Sequence, residues 1–343
     1  MIHLVFTNKT RKSHINKGPD CEYGPEAAEL DLSSEELNEK MTSIMDIMTH
    51  QISTEEDAIK LQELTIGQAD NPLWMEARHE RLTASKFGVI YKLRDSTPRH
   101  NTVKNLLLRR ELMTKAVIYG RINEKTAINL YEERYKVKVL PCGLFVRKEW
   151  PYLGASPDGL VGENGLVEVK CLPSIGNKPI FDAALEDNIF VAVQNGILVL
   201  KKSHNYLFQV QGQLFITRKD FCDIIIYSES GIEVIRIYPD NDFELKALPR
   251  LTKFFNESLL PELADSRIQR DAQTISTHPY QAAGHAFRGA HTCDKALISG
   301  ISTDHGTVHL SACTGLYPPS CGYPCPARPS EDRYLLPAAK YLT

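Results

Sequence analysis

Several signals are scarce in this chain, and each scarcity removes a class of protein. The opening residues, MIHLVFTNKTRK, hold no apolar signal-peptide core. No apolar run approaches a membrane span; the strongest, IFVAVQNGILVL (189–200), is broken by Gln194, Asn195 and Gly196. The eight cysteines form no C-x-x-C pair and do not read as a disulfide framework. Cys142, Cys171 and Cys222 lie in apolar segments and read as small core residues. A soluble, intracellular protein without a membrane partner is expected, with nucleus and cytoplasm both open.

Net charge is also scarce, at −3, so no global basic excess points to nucleic acid. The distribution is uneven, however. Residues 1–65 hold 6 Lys and Arg against 13 Asp and Glu, whereas the rest holds 34 against 30. An acidic leader thus hides a mildly basic body, which permits a polyanionic partner without demanding one.

The 343 residues have room for one large domain or two ordinary ones. Residues 1–31 look irregular. Residues 33–64 suit one or two helices capped at Ser33 or Ser34, with Leu37, Met41, Ile44, Ile47 and Met48 at helical spacing. That stretch reads most simply as a helical appendage without chemistry. Residues 71–93 read as helix, break, helix, with Thr83-Ala84-Ser85 at the break. Residues 100–135 read as helix interrupted at Gly120, and 137–146, 150–161 and 165–172 as strands. Residues 204–217 read as a helix, 221–239 as a strand pair and 241–263 as a closing helix. Helices flanking a run of strands give an α/β or α+β core.

From about residue 264 periodicity disappears and Gly, Pro, Ser, Cys and His accumulate. Cys293, Cys313, Cys321 and Cys325 with His291, His305 and His309 invite a zinc reading, but their spacing matches no familiar ligand pattern. A low-order tail is the better expectation. The expected division is an acidic, partly helical extension over 1–65, a main domain over 66–263 and the tail over 264–343.

The chemistry concentrates in GASPDGLVGENGLVEVKCLP (154–173). Glu168 and Lys170 lie two apart and share a strand face, while Val167 and Val169 take the other. Asp158 stands in a Pro-Asp-Gly corner just before. A turn aspartate with an exposed ion pair would explain these residues without chemistry. Yet two carboxylates on neighbouring strands can converge on a hard cation such as Mg2+, which prefers oxygen ligands, waters and substrate phosphate. A lysine beside them can orient a water or offset charge on a phosphoryl group. That combination suits phosphodiester hydrolysis.

Pro157-Asp158 … Glu168-Val169-Lys170 resembles the PD-(D/E)XK nuclease signature. The flanks, Ser156 to Leu160 and Gly165 to Cys171, resemble the YqaJ-type viral recombinase family, related to phage lambda exonuclease. Trp74-x3-Arg78 with Thr83-Ala84-Ser85, Gly120-x3-Glu124-x2-Ala127 and Gln209-Val210-Gln211 are similar to further motifs of that family, in order. The resemblance spans about residues 70–260.

It implies an α/β fold with a central mixed sheet flanked by helices. It implies a metal-dependent DNA nuclease, foremost a 5′-to-3′ exonuclease on linear duplex ends serving recombination or viral DNA metabolism. Asp158 and Glu168 become metal ligands, joined by the Val169 carbonyl and by Glu124. Lys170 positions the nucleophilic water and Gln209 supports it. Arg78 and Ser85 hold a terminal 5′ phosphate. The implied cofactor is Mg2+, with Mn2+ as an alternative, and the implied partners are DNA, a strand-annealing recombination protein and further copies of the chain. Competitors remain at this stage: Glu132 and Glu133 for Glu124, Gln211 for Gln209 and Arg81 for Arg78. An endonuclease or nickase of the same fold, and an inactive DNA-binding remnant, are the alternative functions.

Overall fold

The computed structural model describes residues 32–107, 114–186 and 189–267. The cysteine and histidine cluster between His291 and Cys325 lies outside the described residues, as does the irregular leader 1–31.

In chain order the elements begin with α1 (Ser34–Gln51), α2 (Glu55–Leu64) and α3 (Pro72–His79). They continue with β1 (Leu82–Thr83), α4 (Ala84–Tyr91), α5 (His100–Leu107) and α6 (Lys115–Tyr135). Next come β2 (Val139–Leu140), β3 (Phe145–Arg147), β4 (Trp150–Ala155), β5 (Gly159–Val161), β6 (Gly165–Cys171) and α7 (Ile180–Leu185). Last are β7 (Val191–Gln194), β8 (Ile197–Leu200), α8 (Asn205–Thr217), β9 (Phe221–Ser228), β10 (Gly231–Ile237), α9 (Asn241–Phe254) and α10 (Leu260–Ala264).

Local chemistry explains the boundaries. Ser33 with Glu36 and Thr54 with Asp57 form capping boxes at α1 and α2. Pro72 follows the Asn71 cap of α3, where its missing N–H costs nothing. Gly120 does not interrupt a helix as the reading of 100–135 expected: it lies inside α6, which starts at Lys115 behind its Thr114 cap. One glycine costs a helix only about 1 kcal/mol. Packing of Ala127 and Tyr131 onto the sheet outweighs that. The 189–200 run is a hairpin, with Asn195 and Gly196 both at positive φ (52° and 77°) in its two-residue turn.

The central sheet has the order β10-β9-β6-β5-β2, parallel only between β6 and β9. A second sheet, β1-β4-β3, stands beside it. The connection from β6 to β9 carries α7, the hairpin and α8, as a parallel crossover requires. On one face of the sheet α6 packs Ala127 and Tyr131 against Val167, Val169 and Ile225. On the other, α8 packs Val210 and Leu214 against Leu166, Cys222 and Ile224. The fold is therefore mixed α/β with a central mixed sheet between helices, in agreement with the sequence.

Two further cores complete the body. Met48 of α1 packs with Leu82, Phe87, Leu153 and Phe255. Ile52 and Ala58 pack with Trp74, Leu144 and Val146. The α4–α8 crossing is close because of two glycines. A Cβ on Gly212 would meet Phe87 Cδ2 at 2.4 Å, and one on Gly88 would meet the Asn205 Cα at 2.8 Å. Among the described residues no helix is long and apolar enough to cross a membrane.

Candidate active site

Asp158 stands where the chain leaves β4 of the small sheet for β5 of the large one. Its backbone is pinned on both sides. The preceding Pro157 carbonyl accepts from Gln68 Nε2 at 2.8 Å and from Cys142 Sγ at 3.3 Å. The Asp158 N–H donates to Val167 O at 3.0 Å. Pairing of β5 with β6 ends at Gly159–Val167, and there the Asp158 side chain takes over. Its Oδ2 accepts the Val169 N–H at 2.6 Å. Since Val167 O and the Val169 N–H both face Asp158, the Val169 carbonyl lies on the same strand edge.

Glu168 and Lys170 share the face opposite the two valines. Lys170 Nζ donates to Glu168 Oε1 at 2.5 Å. Helix α8 supplies two more donors to the same carboxylate. Gln209 Nε2 reaches Oε1 at 2.5 Å and Gln213 Nε2 reaches Oε2 at 2.6 Å. They lie one helical turn apart and so share a face. The Tyr206 ring, a further turn back, stands 4.4 Å from Lys170 Nζ in cation–π contact. Glu168 is 2 % exposed, so this is a buried charge held by one ammonium and two amides.

The electrostatics show an excess of negative charge. Burial, then Glu168, then Glu124 push the Asp158 carboxyl well above its ordinary range, against Lys170 and the Val169 N–H. Glu124 keeps much of its surface in solvent, yet lost hydration on its site-facing side, then Glu168, raise its carboxyl too. Burial works against the Lys170 ammonium, but Glu168, Asp158 and Tyr206 outweigh it and raise its pKa. Asp158 and Glu168 thus repel each other beside one ammonium, and Glu124 feels their charge from α6, an arrangement that a cation would stabilise.

The donor set fits a hard divalent ion: carboxylate oxygens from Asp158 and Glu168, the Val169 carbonyl and Glu124 at the margin. Among the described residues no three His, Cys, Asp or Glu side chains form a ready-made cage. A Mg2+ site of two carboxylates completed by water and phosphate needs none.

Three of the competing residues have partners elsewhere. Gln211 donates to Tyr238 O and accepts from the Asp240 N–H, so it ties α8 to the β10–α9 connection. Glu132 accepts from the Val139 N–H and Lys138, away from Glu168. Arg81 is buried and donates to Pro151 O, Ala77 O and Gln51 Oε1. Arg78 instead lays its guanidinium 3.9 Å over the Trp74 ring. Trp74 Nε1 in turn donates to Ser156 Oγ at 2.9 Å, two residues before Asp158. Ser85 is exposed in the first turn of α4, with its Oγ 3.2 Å from Thr83 Oγ1. Asp158, Glu168, Lys170 and Gln209 are therefore brought together, with Glu124 beside them, while Arg78 and Ser85 occupy the adjoining α3–α4 segment. Tyr206 and Gln213 share this face of α8 with Gln209, but the resemblance gave a role to Gln209 alone.

Residues 73–220 match the family described as the YqaJ-like viral recombinase domain, which upholds the resemblance over that span. Similar solved structures include an alkaline exonuclease (LHK-Exo) from Laribacter hongkongensis, 23 % identical, covering 59 % of this chain and 98 % of that one, with a TM-score of 0.45. A phage-related exonuclease from Haemophilus somnus 129PT is 16 % identical, covering 55 % of this chain and 96 % of that one, with a TM-score of 0.39. KSHV SOX in complex with RNA is 11 % identical, covering 62 % and 76 %, with a TM-score of 0.45. No curated protein matches the chain.

Proposed function

We propose that this chain, with its YqaJ-like domain, is a metal-dependent DNA nuclease, foremost a 5′-to-3′ exonuclease acting on linear duplex ends. The observation that carries the reading is the pair of buried Glu168 and half-buried Lys170, 2.5 Å apart on one strand face, with Asp158 anchored to the intervening Val169. A structural ion pair gains little from burial. A second carboxylate, Asp158, raised by burial and then by Glu168 and Glu124, makes the arrangement costlier still. Phosphodiester hydrolysis explains the cost.

In this reading Asp158, Glu168 and the Val169 carbonyl hold Mg2+, or Mn2+ in its place, and Glu124 contributes from α6. Such an ion, when bound, would lower the pKa of a water and offset charge on a phosphoryl group. Lys170 stays protonated and positions that water or offsets the charge that develops on phosphate. Gln209 holds Glu168 Oε1 and so keeps Lys170 and the carboxylate in register. Arg78 and Ser85 grip the terminal 5′ phosphate. A guanidinium stacked on an indole can still donate through its edge. The machinery is assigned to residues 66–263. The family resemblance also brings a strand-annealing protein and a homo-oligomer into the reading; sedimentation with and without DNA tests the latter.

The test uses linear 5′-phosphorylated duplex and closed circular DNA, each with Mg2+ or EDTA, for the parent and for Lys170→Ala. Mg2+-dependent loss of the linear substrate alone, abolished by the substitution, is expected. Cutting of the circle would turn the reading to an endonuclease. DNA binding without cleavage of either would leave a binding remnant.

A further inference from the structure

The three donors around Glu168 are unevenly divided. Oε1 accepts from both Lys170 and Gln209, whereas Oε2 accepts from Gln213. Removing Gln209 leaves Oε1 with a charged partner. Removing Gln213 takes away the donor that stops the carboxylate from turning about its last torsion.

Gln213 is also an unfavourable residue for stability. It is 1 % exposed, on a helix that buries Val210, Leu214 and Ile216 around it. Its Oε1 is buried and accepts from no protein donor. The reverse amide orientation would set that oxygen against Glu168 Oε2, so the network itself fixes which end points where. A buried acceptor without a partner costs free energy that an apolar side chain of the same size would avoid. The benefit must then lie in what Nε2 does.

We propose that Gln213 is a positioning residue that fixes the plane of the Glu168 carboxylate and thereby sets which oxygen a divalent cation meets. The proposal rests on the nuclease reading above. It extends that reading to a side chain one helical turn beyond Gln209 and behind the ligand rather than at it. Residues of this kind hold ligands in the orientation the ion requires.

The experiment compares the parent with Gln213→Met, which keeps the volume and removes the amide, and Gln213→Asn, which keeps the amide one methylene short. Mg2+ is titrated without DNA and read by melting temperature. Both variants are expected to raise the Mg2+ midpoint about ten-fold or more. On linear duplex, kcat at a fixed subsaturating Mg2+ concentration falls by a similar factor while KM for DNA ends stays constant. Gln209→Met is expected to move the midpoint less. A parental midpoint in either folded variant overturns the proposal, as does a joint loss of metal-free melting temperature, kcat and KM. A parent that neither responds to Mg2+ nor cuts removes the nuclease reading as well; an active parent with unaltered variants removes only the role of Gln213.

Discussion

The Tyr131 hydroxyl donates to Asp223 Oδ2 at 2.6 Å, joining helix α6 to strand β9 on the valine face of the sheet. Arg236 completes the cluster with two hydrogen bonds of 2.7 Å to the same carboxylate. Asp223 is 2 % exposed and depends on both partners. Removing the Tyr131 hydroxyl as Tyr131→Phe should cost about 1.5–3 kcal/mol, the range for a bond to a charged group. Arg236→Ala should cost more, because it leaves a buried carboxylate without its counter-charge. Urea unfolding of both variants checks the order.

Because α6 also carries Glu124, two turns before Tyr131, the same variants should weaken the response to Mg2+. Melting curves at saturating Mg2+ should rise for the parent, by about 2.7 kcal/mol in stability at a hundred-fold excess over Kd. Glu168→Gln should lose most of that gain. An identical rise in both proteins would remove Glu168 from the metal site.

The raised carboxyl of Asp158 makes a signed prediction in EDTA. Between its ordinary range and its raised folded value, the folded state binds more protons than the unfolded state. Stability from this group is therefore present at low pH and lost as pH climbs through the folded value; Glu124 acts in the same direction. Asp158→Asn should accordingly stabilise the metal-free protein near pH 8, and by progressively less as pH falls toward the ordinary aspartate range. Melting temperature against pH, with and without Mg2+, reads this directly, and Mg2+ should reverse the sign at pH 8.

Lys170→Ala should lower kcat by about 10²–10⁴-fold, the scale for loss of a positioned catalytic group. Lys170→Arg should not restore it, since a planar fork cannot replace a compact ammonium seated beside Tyr206. Single-turnover cleavage with prebound DNA separates this effect from binding.

Arg78→Ala should erase the preference for 5′-phosphorylated over 5′-hydroxyl ends, with a loss of about 1.5–3 kcal/mol for a charged hydrogen bond. Trp74→Phe should do part of the same by removing both the indole platform and the bond to Ser156. Rates on matched substrates with the two kinds of end decide it.

The strand that bears Glu168 and Lys170 was legible because a period of two needs only local sequence: the two residues had to share a face. The arrangement around them was legible only in outline. Helical spacing placed Gln209 and Gln213 together, but nothing in spacing tells which oxygen of a carboxylate each amide will reach. Competition between Arg78 and Arg81 could not be resolved either, since it depends on the carbonyls of Pro151 and Ala77, the former 70 residues from Arg81 in the chain. Two local signals were misjudged. Gly120 was given the weight of a breaker although the following turns pack firmly. Asn195-Gly196 served only to exclude a membrane span, although it is a strong hairpin signal.

Strand β6 has a further consequence for a chain that fails to fold correctly. Its valines face Ala127, Tyr131 and Ile225, and its charged pair faces the amides of α8. A slip of one residue would exchange the two sets, forcing Glu168 and Lys170 into an aliphatic layer at a cost of about several kcal/mol per ion. The same slip would separate the carboxylate from Asp158 and from both glutamines. Misthreaded copies would therefore lose stability and the arrangement around Glu168 at once, so no well-folded copy should carry the site in a scrambled form.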